Sequence, residues 1–101
     1  MVVNRKINLE EVQKTLNKHK VALFKKYGIK RLGIFGSVSR GDNTEKSDVD
    51  ILVEFNHKIG IEFIDLADEL EAILKVKIDL VSRKGIKPRY FRIIEEDLFY
   101  V

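Results

Sequence analysis

The chain has 101 residues, of which 45% are hydrophobic and 35% charged, with a formal net charge of +3 and no cysteine. This length predicts a single domain over residues 1–101, and the composition excludes intrinsic disorder, disulfides and thiolate metal sites. The longest apolar runs, Val21–Phe24 and Leu98–Val101, are far shorter than the about 20 residues of a membrane span, and the N-terminus lacks a signal-peptide pattern, so we expect a cytoplasmic protein without a membrane partner.

The charges are distributed unevenly along the chain. Residues 1–31 carry nine Lys or Arg and two Glu, whereas residues 41–72 carry ten Asp or Glu and two Lys. Most of these charges are expected to solvate helix faces. The acidic block would repel nucleic-acid phosphates, so we do not expect direct nucleic-acid binding, and a divalent cation is the better first hypothesis for a partner.

The first third of the chain predicts a helix and then a strand. Asn8 followed by Glu11 has the pattern of a capping box. The helix is predicted to run to about Tyr27 and to end at Gly28, because apolar residues recur at helical spacing: Leu9, Val12, Leu16 and Leu23. Leu32 and Ile34 then predict a short strand that ends in a turn at Gly36.

The rest of the chain predicts two strands and two helices. The strands are Val49–Phe55 and Val76–Val81, and an amphipathic helix is expected between them from Ile61 to Leu74. A last helix is predicted from Pro88 to about Glu96. The fold class is therefore α/β, with the order α-β-β-α-β-α. The apolar C-terminal residues 98–101 either dock on the core or meet a partner.

The stretch from Gly36 to Asp50 carries the chemistry. Gly36 and Ser37 follow a strand, where backbone amides and a hydroxyl can approach phosphate oxygens. Asp48 and Asp50 are separated by one residue at the start of a strand, so their side chains point to the same face. Such a pair is costly unless a cation neutralises it.

A third acid, Asp79, interrupts the apolar strand Val76–Val81. If the second and third strands are neighbours in register, three carboxylates converge beside the Gly36-Ser37 turn. Hard oxygen ligands without nearby His or Cys favour Mg²⁺, and two ions about 3.5–4 Å apart suit an in-line displacement on phosphorus.

Gly36-Ser37 followed after ten residues by Asp48-Val49-Asp50 resembles the defining motif of the DNA polymerase beta-like nucleotidyltransferase superfamily. The fuller pattern, with Arg40-Gly41 and the later Asp79, is similar to its minimal nucleotidyltransferase (MNT) branch, whose members act as antitoxins of neighbouring HEPN-domain toxins. The resemblance covers nearly the whole chain. It implies a polymerase beta palm-like fold, in which a small mixed β-sheet packs against helices.

The resemblance also implies the roles of the residues. Asp48, Asp50 and Asp79 would be catalytic and bind magnesium, with Asp79 assisting deprotonation of an acceptor hydroxyl. Gly36, Ser37 and Arg40 would bind the nucleoside triphosphate, with ATP as the expected substrate. The implied reaction transfers AMP to a hydroxyl, that of a tyrosine in the HEPN-type ribonuclease toxin. The toxin is then the expected protein partner. Whether the chain also forms a homo-oligomer is left open by the sequence.

Three alternatives accompany this interpretation. Asp48 and Asp50 would form a solvent-facing strand start, Asp79 an exposed edge residue, and Arg40 a structural ion-pair partner. A separate hypothesis is a non-catalytic antitoxin that retains the site and neutralises the toxin by binding alone. A small-molecule nucleotidyltransferase ranks lower, because a chain this short offers few walls for a small acceptor.

Overall fold

Helices and strands alternate along the chain in the computed structural model, which describes residues 5–101. None of the helices in that range has the length and apolarity needed to cross a bilayer. The elements are α1 (Leu9–Tyr27), β1 (Ile29–Phe35), α2 (Gly36–Arg40), β2 (Val49–Phe55), α3 (Glu62–Leu74), β3 (Ile78–Ser82), a 3-10 turn (Arg83–Gly85), α4 (Pro88–Glu95) and β4 (Phe99–Tyr100).

The four strands form one mixed sheet in the order β3-β2-β1-β4. Strand β1 is antiparallel to both of its neighbours, and β2 is parallel to β3. The predicted α/β fold with a small mixed sheet is thus confirmed. The structure also contains one helix and one strand that the predicted order lacks. Helix α2 begins at Gly36, where a turn is predicted, and the C-terminal residues pair with β1 as strand β4.

Helix α1 begins and ends where its sequence predicts. The Asn8 side chain accepts a hydrogen bond from the Glu11 amide at 2.8 Å, which satisfies one free N–H of the first turn. The Glu11 carboxylate binds the Arg5 guanidinium at 2.7 Å, so the capping box is only half formed. Gly28 ends the helix at φ 64° in the left-handed region.

The core lies on one face of the sheet. Val49, Ile51 and Val53 of β2 share one buried cluster with residues of α1 and α3, among them Leu16, Leu23, Leu66 and Leu70. Alternation along the strand turns Asp50, Leu52 and Glu54 to the opposite face. The acid at position 50 is therefore kept out of the main core by the same alternation that buries its two neighbours.

Candidate functional site

Asp50 and Asp79 lie side by side on neighbouring strands. Parallel pairing of β2 with β3 places Asp50 opposite Asp79, and antiparallel pairing of β2 with β1 places Asp50 opposite Phe35, the last residue before Gly36. The register required by the sequence argument is therefore present. It brings two carboxylates and the start of α2 to one corner of the sheet.

Asp48 completes an acidic group around Asp50. Asp48 and Asp79 are exposed, whereas Asp50 is half-buried. Burial raises the pKa of Asp50 to about 6, helped by the negative charges of Asp79 and Asp48 and by a hydrogen bond with Asp79, while Arg40 acts in the opposite direction. All three predicted acids thus contribute to one electrostatic environment centred on Asp50.

Gly36 lies against this group. Its φ is +76°, a conformation that favours glycine, and a Cβ at this position would be 2.1 Å from the Asp50 carboxylate oxygen Oδ2. Any side chain here would displace the carboxylate. The glycine therefore allows the backbone at the start of α2 to approach Asp50, and Ser37 follows it directly in the same helix.

The loop between α2 and β2 is anchored by a buried polar contact that sequence reasoning missed. Asn43 is buried, and its Nδ2 donates to the Ile7 carbonyl at 2.7 Å. The two residues lie 36 positions apart, so no local sequence pattern predicts the contact. Beyond Asn43, the Thr44 amide donates to the Ser47 hydroxyl at 2.9 Å, which orders the chain just before Asp48.

Replacing Asn43 by Ala is expected to destabilise the protein by about 1–3 kcal/mol, because the Ile7 carbonyl loses its partner in a buried place. Urea unfolding at neutral pH measures this change. Glu45→Ala in the same loop is the control, since Glu45 is exposed and its removal should shift stability by no more than about 0.5 kcal/mol. Equal effects of the two substitutions would show that the buried contact does not hold the loop.

Arg40 is engaged in ion pairs within the protein. Its Nε lies 3.1 Å from Asp42 Oδ2, and its Nη1 lies 2.9 Å from Asp97 Oδ2. Both hydrogen bonds raise the pKa of Arg40, and the one with Asp97 has the larger effect. Ser39 Oγ also donates to the Asp97 carbonyl. The segment before β4 is therefore tied to α2, a connection over 57 positions that the sequence did not indicate.

The donor set fits a divalent cation by its chemistry. Three carboxylates offer hard oxygen ligands, and the pKa of Asp50 is raised first by burial and then by the negative charges of Asp79 and Asp48, both of which a cation would offset. As the side chains are oriented here, no three His, Cys, Asp or Glu of residues 5–101 form a ready metal cage. Asp50 and Asp79 are already joined by a hydrogen bond, so the exposed Asp48 side chain would have to turn toward this pair for all three to coordinate one ion.

Comparison with known proteins gives a consistent family. The model of the nucleotidyltransferase domain family matches residues 9–101. A protein of Methanocaldococcus jannaschii, provisionally named a protein adenylyltransferase, is 45% identical over 92% of this chain and 97% of its own. The protein adenylyltransferase MntA of Thermococcus cleftensis is 38% identical over 94% of this chain and 97% of its own.

Solved structures share the fold. A structure provisionally named a minimal nucleotidyltransferase superposes with a TM-score of 0.78 at 31% identity, covering 92% of this chain and 95% of the other. A Shewanella oneidensis complex of a tri-AMPylated HEPN toxin with MNT antitoxin contains a chain that superposes with a TM-score of 0.64 at 22% identity, covering 88% of this chain and 70% of the other. At that identity the second likeness concerns the fold alone.

Proposed function

Because this chain belongs to the nucleotidyltransferase domain family, as one of its minimal members, we propose that it transfers AMP from ATP to a tyrosine hydroxyl of a HEPN-type toxin and so acts as an antitoxin. The chain is a nucleotidyltransferase. We propose in addition that the group it transfers is adenylyl and that the acceptor is a tyrosine of the toxin. One observation carries it: Asp79 lies in register with Asp50, beside the start of α2. The names of the relatives support the adenylyl group and the protein acceptor.

The reaction forms one bond and breaks one. The acceptor oxygen bonds to the α-phosphorus of ATP, the bond from that phosphorus to the bridging oxygen breaks, and pyrophosphate leaves. Asp79 accepts the hydroxyl proton, because its exposed carboxylate is open to an acceptor from solution while Asp50 is half-buried. Gly36 and Ser37 hold the triphosphate with backbone amides and the Ser37 hydroxyl.

Asp48, Asp50 and Asp79 would hold magnesium, which when bound neutralises phosphate charge and orients the α-phosphate. Without a bound cation the carboxylates give this site negative charge, so nucleotide binding should depend on the cation. Arg40 adds positive charge on the α2 side of Asp50, although Asp42 and Asp97 already bind its guanidinium. We infer that Arg40 shapes the nucleotide-binding turn and contacts phosphate with the donors that its ion pairs leave free.

The partner fits the chemistry of a protein acceptor. The acids lie at a corner of the sheet where Asp48 and Asp79 are exposed, so a tyrosine on another protein's surface can reach them. Fold likeness to the antitoxin chain of an MNT–HEPN complex supports a HEPN toxin as that protein. We expect the toxin to supply the walls around the acceptor that this chain lacks.

The test is label transfer from ATP labelled at the α-phosphate. The purified chain is incubated with Mg²⁺ and the HEPN protein encoded by the adjacent gene, and the toxin is then analysed for label and for ribonuclease activity. We expect label on a toxin tyrosine and loss of ribonuclease activity, both dependent on Mg²⁺. No label with a folded, active toxin would contradict the proposal.

A double variant separates catalysis from binding. Asp48→Asn with Asp50→Asn should still bind the toxin but transfer no label and fail to silence it. Asp65→Asn with Asp68→Asn is the matched control, because both residues are exposed on α3, outside the acidic group and the ion pairs of Arg40. If the first double variant silences the toxin as well as the wild type does, the protein neutralises by binding alone.

A further inference from the structure

A second polar pocket lies at the end of the sheet away from the acids. It has a volume of about 400 Å³ and is lined by residues from the end of β2, the following loop and the 3-10 turn after β3, among them Lys58, Arg83 and Lys84. Phe55 in its wall lies five positions along β2 from Asp50, which corresponds to roughly 16 Å along the strand. The pocket is therefore distinct from the nucleotidyl-transfer site.

The pocket is electropositive. Lys58, Arg83 and Lys84 form no salt bridge with any residue of the range 5–101. The one acid in the lining is Glu54, whose carboxylate oxygens lie 4.0 Å from Lys30 Nζ and 3.9 Å from Arg31 Nε. These two cations come from β1 and do not line the pocket, so they offset the charge of Glu54 from outside.

The walls are held in place by contacts with the rest of the protein. The Arg83 guanidinium carbon lies 3.7 Å from the centre of the Phe91 ring, a cation–π contact that holds the guanidinium against the ring. On the other side, the Asn56 amide donates to the Gly28 carbonyl at 2.8 Å, and the His57 ring packs against Gly28. The pocket therefore exists before a ligand arrives, which lowers the cost of binding.

We propose that this pocket binds a phosphate-bearing small molecule of mononucleotide size. A fixed guanidinium with two ammonium groups is the donor set that recognises phosphate, and the volume lies in the range of about 300–1,000 Å³ usual for small-ligand sites. Phe55 and Ile59 add apolar surface for the uncharged part of such a ligand. The inference does not depend on the proposed toxin partner or on the transfer reaction.

The test is a binding titration with AMP and with inorganic phosphate in the presence of a chelator, followed by amide chemical shifts of the full chain. Without metal, the carboxylates of Asp48, Asp50 and Asp79 repel the anionic ligand, so the titration reports binding in the second pocket. We expect the amide signals of residues 54–59 and 82–84 to shift on titration. The same changes should occur in the double variant Asp48→Asn with Asp50→Asn. Shifts confined to residues 36–40 and 48–50 would overturn the proposal, as would a response to single-stranded RNA only.

Matched charge variants locate the site. Lys58→Gln with Lys84→Gln removes two exposed lysines of the pocket and should weaken AMP binding roughly tenfold or more. Lys14→Gln with Lys18→Gln removes two exposed lysines of α1 outside the pocket and should leave the affinity unchanged. Equal affinities for the two double variants would refute the site, and both are expected to fold because all four lysines are exposed.

Discussion

Replacing Asp50 by Asn is expected to abolish nucleotidyl transfer while making the metal-free protein more stable. Transfer should fall roughly 100-fold or more, because the variant loses the central carboxylate that would hold magnesium, and with it the cation that would neutralise phosphate charge. The fold should persist, since Asn is nearly the same size and its amide can donate to Asp79, which pairs with Asp50 in register.

The gain in stability follows from the raised pKa. Asp50 has a pKa of about 6 in the folded protein against an ordinary value of 3.8, so the folded state binds its proton more tightly than the unfolded chain does. Stability from this group is fully present below about pH 4 and is lost as pH rises through 6. At pH 7 the loss amounts to about 1–2 kcal/mol after allowance for solvent screening, and Asn avoids it.

Thermal unfolding with a chelator at pH 4 and at pH 7.5 measures this difference. The variant should match the wild type at the lower pH and unfold several degrees higher at the upper one, at about 4–8 °C per kcal/mol for a protein of this size. Asp65→Asn, at an exposed position of α3, is the control and should show no such pH-dependent gain. A strong loss of stability at pH 7.5 would mean that the Asp50 carboxylate is structural.

Replacing Gly36 by Ala is expected to disrupt both the fold at α2 and the transfer reaction. The left-handed backbone at φ +76° costs a non-glycine residue about 1–2 kcal/mol, and the added Cβ would lie 2.1 Å from Asp50 Oδ2. Relief requires Asp50 to move or α2 to shift away from β2, so the total loss should reach about 3 kcal/mol. Transfer should fall roughly 100-fold, because either movement separates the start of α2, which is proposed to hold the triphosphate, from Asp50, which is proposed to hold the metal.

Gly41→Ala is a matched control for the contact. Gly41 also has a positive φ, +85°, but a Cβ there would meet no atom within 4 Å. It should lose only the backbone contribution of about 1–2 kcal/mol and keep most of its activity. If urea unfolding and label transfer do not separate Gly36→Ala from Gly41→Ala, close approach to Asp50 is not the reason for the glycine.

Local patterns predicted the elements that local interactions determine. Strand β2 has the predicted bounds Val49–Phe55, because its apolar, β-branched residues are bounded by polar turns on both sides. Helix α1 follows from its cap, its apolar spacing and Gly28. Strand β3 begins at Ile78, two residues later than predicted, since Val76 is buried without joining the ladder.

Long-range contacts account for what the sequence did not predict. Strand β4 exists because Phe99 and Tyr100 pair with β1, and two apolar residues alone carry no strand signal. Asn43 and Asp97 act through partners far along the chain, Ile7 and Arg40. The acidic site could be predicted only by assuming that β2 and β3 pair in register. Without that pairing, nothing in the sequence connects Asp79 with Asp48 and Asp50.

A Mn²⁺ titration followed by electron paramagnetic resonance shows whether Asp48, Asp50 and Asp79 form one metal site. The titration is performed on the wild type and on Asp48→Asn, Asp50→Asn and Asp79→Asn, each with a non-hydrolysable ATP analogue. We expect the wild type to bind Mn²⁺ together with the nucleotide and each substitution to weaken this binding at least tenfold. Equal affinity in Asp79→Asn and the wild type would contradict a shared site.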